Sequence, residues 1–100
     1  MRRGTTPKHV FAVEFAAADI KRVEITYEQN EKIVIKKTEK DCKISDKEIA
    51  LTLSQRETLL FEEKGCVSVQ LRVLLADGTV LASDIIHISC ENCLSEEVLT

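Results

Sequence analysis

Four cysteines are the side chains with the greatest chemical potential in this 100-residue chain. Cys90 and Cys93 have the C-x-x-C spacing that can place two thiolates on one zinc ion. Three other side chains are candidates to complete a tetrahedral set: Cys42, Cys66 and His87. Structural zinc sites usually combine two closely spaced pairs, whereas Cys42 and Cys66 are isolated in the sequence. We therefore predict no metal and no cofactor, and keep a small zinc-binding protein that uses the cysteines as an alternative.

A second group with chemical potential is Ser83, Asp84 and His87, which are the residue types of a nucleophilic triad. On an extended strand Ser83 and His87 share a face, while Asp84 projects from the opposite face. The three side chains should therefore not converge. The three glycines are not clustered, so the chain also has no phosphate-binding loop. We predict no catalytic residues and no enzymatic activity.

Composition excludes further classes of partner. The formal net charge is −3 and aromatic residues make up 4%, which disfavours nucleic acid as a ligand. No apolar run approaches the length of a membrane span, so we predict no membrane partner. The four cysteines are expected to be reduced thiols. Residues 1–50 hold 11 basic and 9 acidic side chains, whereas residues 51–100 hold 3 basic and 8 acidic side chains. This difference in net charge between the two halves would suit head-to-tail stacking of identical subunits.

The elements that position these residues are predicted to be strands. Two runs of alternating apolar residues between Cys66 and Cys90 flank Asp77-Gly78, which is a strong β-hairpin signal. Asp84 falls on the apolar face of the second run, so we expect a bulge near Ser83-Asp84 that resets the register. The alternative is that Asp84 lies at an exposed end of the sheet.

The rest of the chain predicts further strands and one helix. Alternating residues within 10–15, 20–28, 33–35, 42–45 and 49–53 indicate strands. Ser54 and Glu57 have the spacing of a capping box, which predicts a short helix near 54–62. We predict an all-β, two-layer antiparallel β-sandwich, immunoglobulin-like, of about seven strands, with a small β-barrel as the alternative. The single domain spans 1–100, with a flexible N-terminal arm at 1–8 and a flexible C-terminal tail at 91–100.

Several segments of the chain resemble short prophage-encoded virion structural proteins of gut Firmicutes, which we associate with tails and baseplates. The segments that carry the resemblance are Arg3–His9, Ile25–Asn30, Leu51–Leu59, Val69–Val73, Asp77–Thr79 and Ala82–Ile86. The resemblance implies a non-enzymatic phage or prophage structural or assembly protein. Its partners would be other virion or tail proteins, or itself as a homo-oligomer. Its location would be the virion, and the host cytoplasm before assembly.

Such an assembly protein could act by edge-strand addition or by packing of an exposed apolar face. The arm Arg2–Lys8 and the tail Leu94–Leu99 are then expected to become ordered on a neighbouring subunit. An alternative function is a surface-binding module that recognises a host protein or a carbohydrate. For carbohydrate, Tyr27 is the exposed aromatic candidate.

Overall fold

A computed structural model describes residues 1–63 and 65–100 of the chain. The described residues form eight β-strands, one short α-helix and two 3₁₀ turns, which lie at Ala17–Asp19 and Glu39–Asp41. The strands and the helix are β1 (Lys8–Ala12), β2 (Ile20–Gln29), β3 (Lys32–Thr38), β4 (Lys43–Ser45), β5 (Glu48–Thr52), α1 (Gln55–Thr58), β6 (Cys66–Leu75), β7 (Val80–Ala82) and β8 (Ile86–Ser89).

The described strands form two antiparallel sheets. The three-stranded sheet has the order β1-β5-β4, and the five-stranded sheet has the order β3-β2-β6, with β7 and β8 both paired to the far side of β6. No pairing among the described strands joins the two sheets, so the predicted β-sandwich is confirmed and the alternative of a closed barrel is wrong. The immunoglobulin-like arrangement stays a prediction. Eight strands appear where about seven were expected, because the partner of β6 is split in two.

The core lies between the inner faces of the two sheets, where alternate residues of each strand point. The apolar side chains that bury themselves there include Ile25, Ile49, Leu51, Val67 and Val69. The opposite face of β2 and β6 carries polar side chains. This one-sided alternation explains why each sheet needs the other to cover it.

The long hairpin of the five-stranded sheet forms where Asp77-Gly78 predicts it. Gly78 has φ +92°, a left-handed conformation that suits glycine, and the Asp77 carboxylate accepts a hydrogen bond of 2.9 Å from the Thr79 amide. Leu71 is paired with Ser83 by a backbone hydrogen bond of 2.8 Å, and Val69 is opposite Ile86 in the register. Three positions on one strand thus span two on the other, so the predicted bulge is confirmed.

The predicted helix near 54–62 is too long. The capping box forms, since the Ser54 hydroxyl accepts from the Glu57 amide at 3.1 Å and the Glu57 carboxylate accepts from the Ser54 amide at 2.9 Å. Only Gln55–Thr58 is α-helical. The Leu60 and Phe61 amides then bond to carbonyls three residues back, and this tighter turn directs Phe61 into the core.

The N-terminal arm and the C-terminal tail lie side by side in the structure. The buried Arg3 guanidinium donates to the Phe61 carbonyl at 2.6 Å, to Asn92 Oδ1 at 2.9 Å and to Glu96 Oε1 at 2.7 Å. The Gln55 side chain also bonds to the backbone of Leu99. The predicted flexibility of both segments stays a prediction, and these contacts identify which bonds would have to open.

Candidate binding groove

The inner face of the five-stranded sheet is incompletely covered at one edge. Leu81 is opposite Val73 and Ile86 is opposite Val69, so by register both project toward the three-stranded sheet. Val73 and Val69 are 2% and 1% exposed, whereas Leu81 and Ile86 are 43% and 46% exposed. The three-stranded sheet therefore ends before it reaches β7 and β8.

The strand of the three-stranded sheet nearest to this edge is β1. Two hydrogen bonds that flank β1 show which of its residues bond to β5. The Pro7 carbonyl accepts from the Leu53 amide at 3.0 Å, and the Val13 amide donates to the Lys47 carbonyl at 2.9 Å. The odd-numbered residues of β1 therefore direct their backbone groups toward β5. In an antiparallel pair the intervening residues direct their N–H and C=O groups to the other side. Lys8, Val10 and Ala12 thus present backbone groups along the outer edge of β1, which pairs with no strand in the described part of the chain.

Two shallow cavities lie in a row between these two edges, and together we call them the edge groove. One cavity of about 230 Å³ lies between Lys8–Phe11 and the side chains of Ile86 and Ile88. A second of about 360 Å³ lies between residues 12–15 and the segment 81–83. Because β1 passes residues 86–88 first and 81–83 later, it runs antiparallel to β7 and β8 along the groove.

Few charges line the edge groove. Lys8 lies at one end and Glu14 at the other, six residues apart along β1 and the residues after it. Between them, His9 Nδ1 is 2.7 Å from the hydroxyl of Tyr27, which is fully buried. Burial lowers the pKa of His9 and raises that of Tyr27, so both groups are neutral near pH 7. The groove is therefore apolar along its length, with the positive charge of Lys8 at one end and the negative charge of Glu14 at the other.

The outer face of the same sheet is polar, and we call it the polar face. The Glu24 carboxylate bonds to the Arg72 guanidinium at 2.8 Å and lies 3.4 Å from Lys36 Nζ. The hydrogen bond from Arg72 lowers the pKa of Glu24. Ser68 Oγ is 3.2 Å from His87 Nδ1, across the pair of strands β6 and β8. An open depression of about 440 Å³ crosses this face and is lined by Glu24, Thr26, Glu28, Ile33, Gln70 and Ile85.

The residue types that suggested a triad do not converge. Ser83 lies in the bulge, where its hydroxyl accepts from the Leu71 amide at 3.0 Å and donates to the Asp84 carbonyl at 2.9 Å. His87 is opposite Ser68 on the outer face, whereas Ser83 is opposite Leu71 on the inner face, so the expectation that Ser83 and His87 share a face is wrong. Sequence reasoning missed the pair of Ser68 and His87, although the predicted bulge contains the signal: one extra residue in the second strand shifts His87 opposite Ser68.

The cysteines are also dispersed. By strand alternation Cys66 points outward with Ser68, whereas Cys90 points inward and is buried, so the two lie on opposite faces of the hairpin. Burial raises the pKa of Cys42 and of Cys90, which keeps both thiols protonated. Cys93 lies in the tail, half-buried. Among residues 1–63 and 65–100, no three metal-binding side chains lie close enough to hold one ion.

Tyr27 is not the exposed aromatic ring that the sequence suggested. It lies on the inner face of β2 with Ile25, and its hydroxyl can be buried because His9 satisfies it. It therefore cannot serve as a stacking surface for a sugar.

No protein-family model, curated protein or solved structure matches this chain. None of the described helices is long and apolar enough to cross a membrane.

Proposed function

We propose that this chain is a non-enzymatic structural or assembly protein that acts through protein–protein contacts at the edge groove. The observation that carries the proposal is the exposure of Leu81 and Ile86 on a sheet face that is otherwise buried. Exposed apolar side chains beside a strand edge with no paired strand are typical of a surface that a second polypeptide covers.

The assembly in which it acts is proposed to be a phage or prophage particle, as a tail or baseplate component. Support for this part comes from the resemblance of the six sequence segments to virion structural proteins. The partners would be other virion or tail proteins, or further copies of the chain. The protein would reside in the virion, and in the host cytoplasm before assembly.

Site-specific photo-crosslinking during particle production tests this function. A photoreactive benzoylphenylalanine replaces Leu81 in one variant and Leu60 in a control variant, since Leu60 is also an exposed leucine, at 61%, but does not line the groove. We expect one discrete adduct with a particle protein from position 81 and none from position 60. Equal labelling from both positions, or a chain that is missing from purified particles, would contradict the proposal.

The polar face favours a second candidate function, a surface-binding module for a carbohydrate or a host protein. Its depression of about 440 Å³ offers amide, hydroxyl and carboxylate groups to a polar ligand. A glycan array probed with the parent and with Thr26→Ala tests it, because Thr26 lines the depression and Gln70 already donates to the Ser83 carbonyl at 3.0 Å. Binding that the Thr26 substitution abolishes would favour the module over the assembly protein. The zinc-binding alternative has no comparable support, because the described cysteines are dispersed.

A further inference from the structure

We infer that the edge groove is completed by one extended strand from a different polypeptide, which pairs with the outer edge of β1 as the fourth strand of the three-stranded sheet. The inference rests on the proposed function and specifies the form of the partner. A strand in this position would meet two needs together. It would pair the backbone groups of Lys8, Val10 and Ala12, and its inward side chains would cover Leu81 and Ile86.

The geometry of β1 sets the pattern of the added strand. Residues that face each other across a sheet share a face, so partner residues opposite His9, Phe11 and Val13 point into the groove and should be apolar. Partner residues opposite Lys8, Val10 and Ala12 point outward. These outward residues are also the ones whose amides bond to β1, because the even-numbered groups of β1 face the groove.

The preferred pairing sets the direction of the added strand, and charge sets the residues at its two ends. Antiparallel pairing is the more stable arrangement, and it places the first residue of the partner opposite Glu14 and the seventh opposite Lys8. Charge complementarity therefore predicts a basic residue at the start and an acidic residue at the end. In between, apolar residues at the second, fourth and sixth positions would fill the edge groove. The matching probe is the capped heptapeptide Lys-Val-Thr-Val-Thr-Val-Glu.

A second copy of the chain does not fit the edge groove. In each copy β1 lies over inward residues of its own β6, so pairing two β1 edges would drive the five-stranded sheet of one copy into β7 and β8 of the other. A segment outside the strands, such as 1–7 or 91–100, would avoid this collision, but neither of these two contains two apolar residues at the i, i+2 spacing that the groove requires. The geometry thus favours a different protein.

Binding of the probe peptide to the full chain, measured by isothermal titration calorimetry, tests the inference. Methylation of the peptide nitrogen at either threonine should weaken binding about tenfold, since it removes a hydrogen bond to β1. Methylation at the central valine should leave the affinity within about twofold, because that amide points away from β1. The reversed peptide Glu-Val-Thr-Val-Thr-Val-Lys should bind more weakly than the probe.

Protein variants locate the bound peptide. Leu81→Lys should abolish binding, whereas the control Leu60→Lys should retain it, with circular dichroism confirming that both are folded. Ile86→Lys replaces Leu81→Lys if the latter unfolds. No binding at millimolar peptide, equal effects of all methylations, or undiminished binding to the groove variants would overturn strand addition.

Two outcomes separate this inference from the proposed function. A crosslink from position 81 to a particle protein, combined with no effect of peptide methylation, would retain the assembly function and reject strand addition. Competition between the probe and self-association of the chain, measured by analytical ultracentrifugation, would identify a second copy as the occupant and would reject the inference of a different polypeptide.

Discussion

The inner face of the five-stranded sheet contains two regions that have the same apolar pattern and different surroundings. Over β2 and β6 the three-stranded sheet covers it, and Leu71 there is 4% exposed. Over β7 and β8 it is open, and Leu81 is 43% exposed. Alternation therefore determines which side chains point inward, whereas the width of the opposing sheet determines which of them are buried.

The largest expected effect comes from truncating the same residue type in the two regions. Leu71→Ala should lower the free energy of unfolding by about 2–5 kcal/mol, because it leaves a cavity in a packed core. Leu81→Ala should lower it by less than about 1 kcal/mol, since the side chain is already partly hydrated. Urea denaturation followed by circular dichroism measures both. Equal losses would mean that the groove is closed in solution.

The next largest loss of stability is expected at the bulge around Ser83, which divides the partner of β6 into β7 and β8. Ser83→Ala removes the acceptor of the Leu71 amide, and an unsatisfied, partly buried donor should cost about 1–2 kcal/mol. Ser68→Ala, on the exposed polar face, is the matched control and should change stability by no more than about 0.5 kcal/mol. The same urea experiment compares them. A neutral Ser83→Ala would show that the bulge does not depend on this hydroxyl.

A smaller, pH-dependent effect arises at the border of the groove. Because burial lowers the pKa of His9 below its ordinary value of 6.5, the folded state binds fewer protons than the unfolded state just below pH 6.5. Stability should be complete above pH 6.5 and should decline as the pH falls from 6.5 toward the lowered pKa. His9→Asn should remove this part of the slope in urea midpoints between pH 8 and pH 5. An unchanged slope would assign it to another group.

The smallest effect is expected on the polar face. Arg72→Gln breaks the contact with Glu24, but more than half of the Arg72 side chain is exposed, so the loss should be about 0–1 kcal/mol. The difference between variant and parent should shrink further in 0.5 M NaCl. If Arg72→Gln lowered the free energy of unfolding as much as Leu71→Ala does, the polar face would contribute as much to stability as the covered core, which contradicts this account.

Local features of the fold were predictable from the sequence. The Asp77-Gly78 turn, the capping box at Ser54 and the bulge at Ser83 each depend on neighbouring residues, and all three form as expected. The length of α1 was not predictable from the same signals. The helix ends before Phe61, and the Phe61 ring is buried in the core, so tertiary packing overrides the local helix signal.

The groove itself could not be predicted, because it depends on how two sheets overlap. Nothing in the alternation of residues 80–88 distinguishes Leu81 and Ile86 from the covered residues of β6. The burial of Tyr27 was missed for a related reason. Its partner His9 is 18 residues away and lies in the other sheet, so no local pattern could reveal that the hydroxyl is satisfied.

Residue-resolved amide hydrogen exchange along β1 can show whether its outer edge is open and accepts a strand. In the isolated chain, the amides of His9 and Phe11 should exchange slowly, whereas those of Val10 and Ala12 should exchange quickly, because they face the groove. Adding the capped heptapeptide should slow exchange at Val10 and Ala12 and leave His9 and Phe11 unchanged. Equal protection of all four amides in the isolated chain, or no change at Val10 and Ala12 with saturating peptide, would contradict an open edge that accepts a strand.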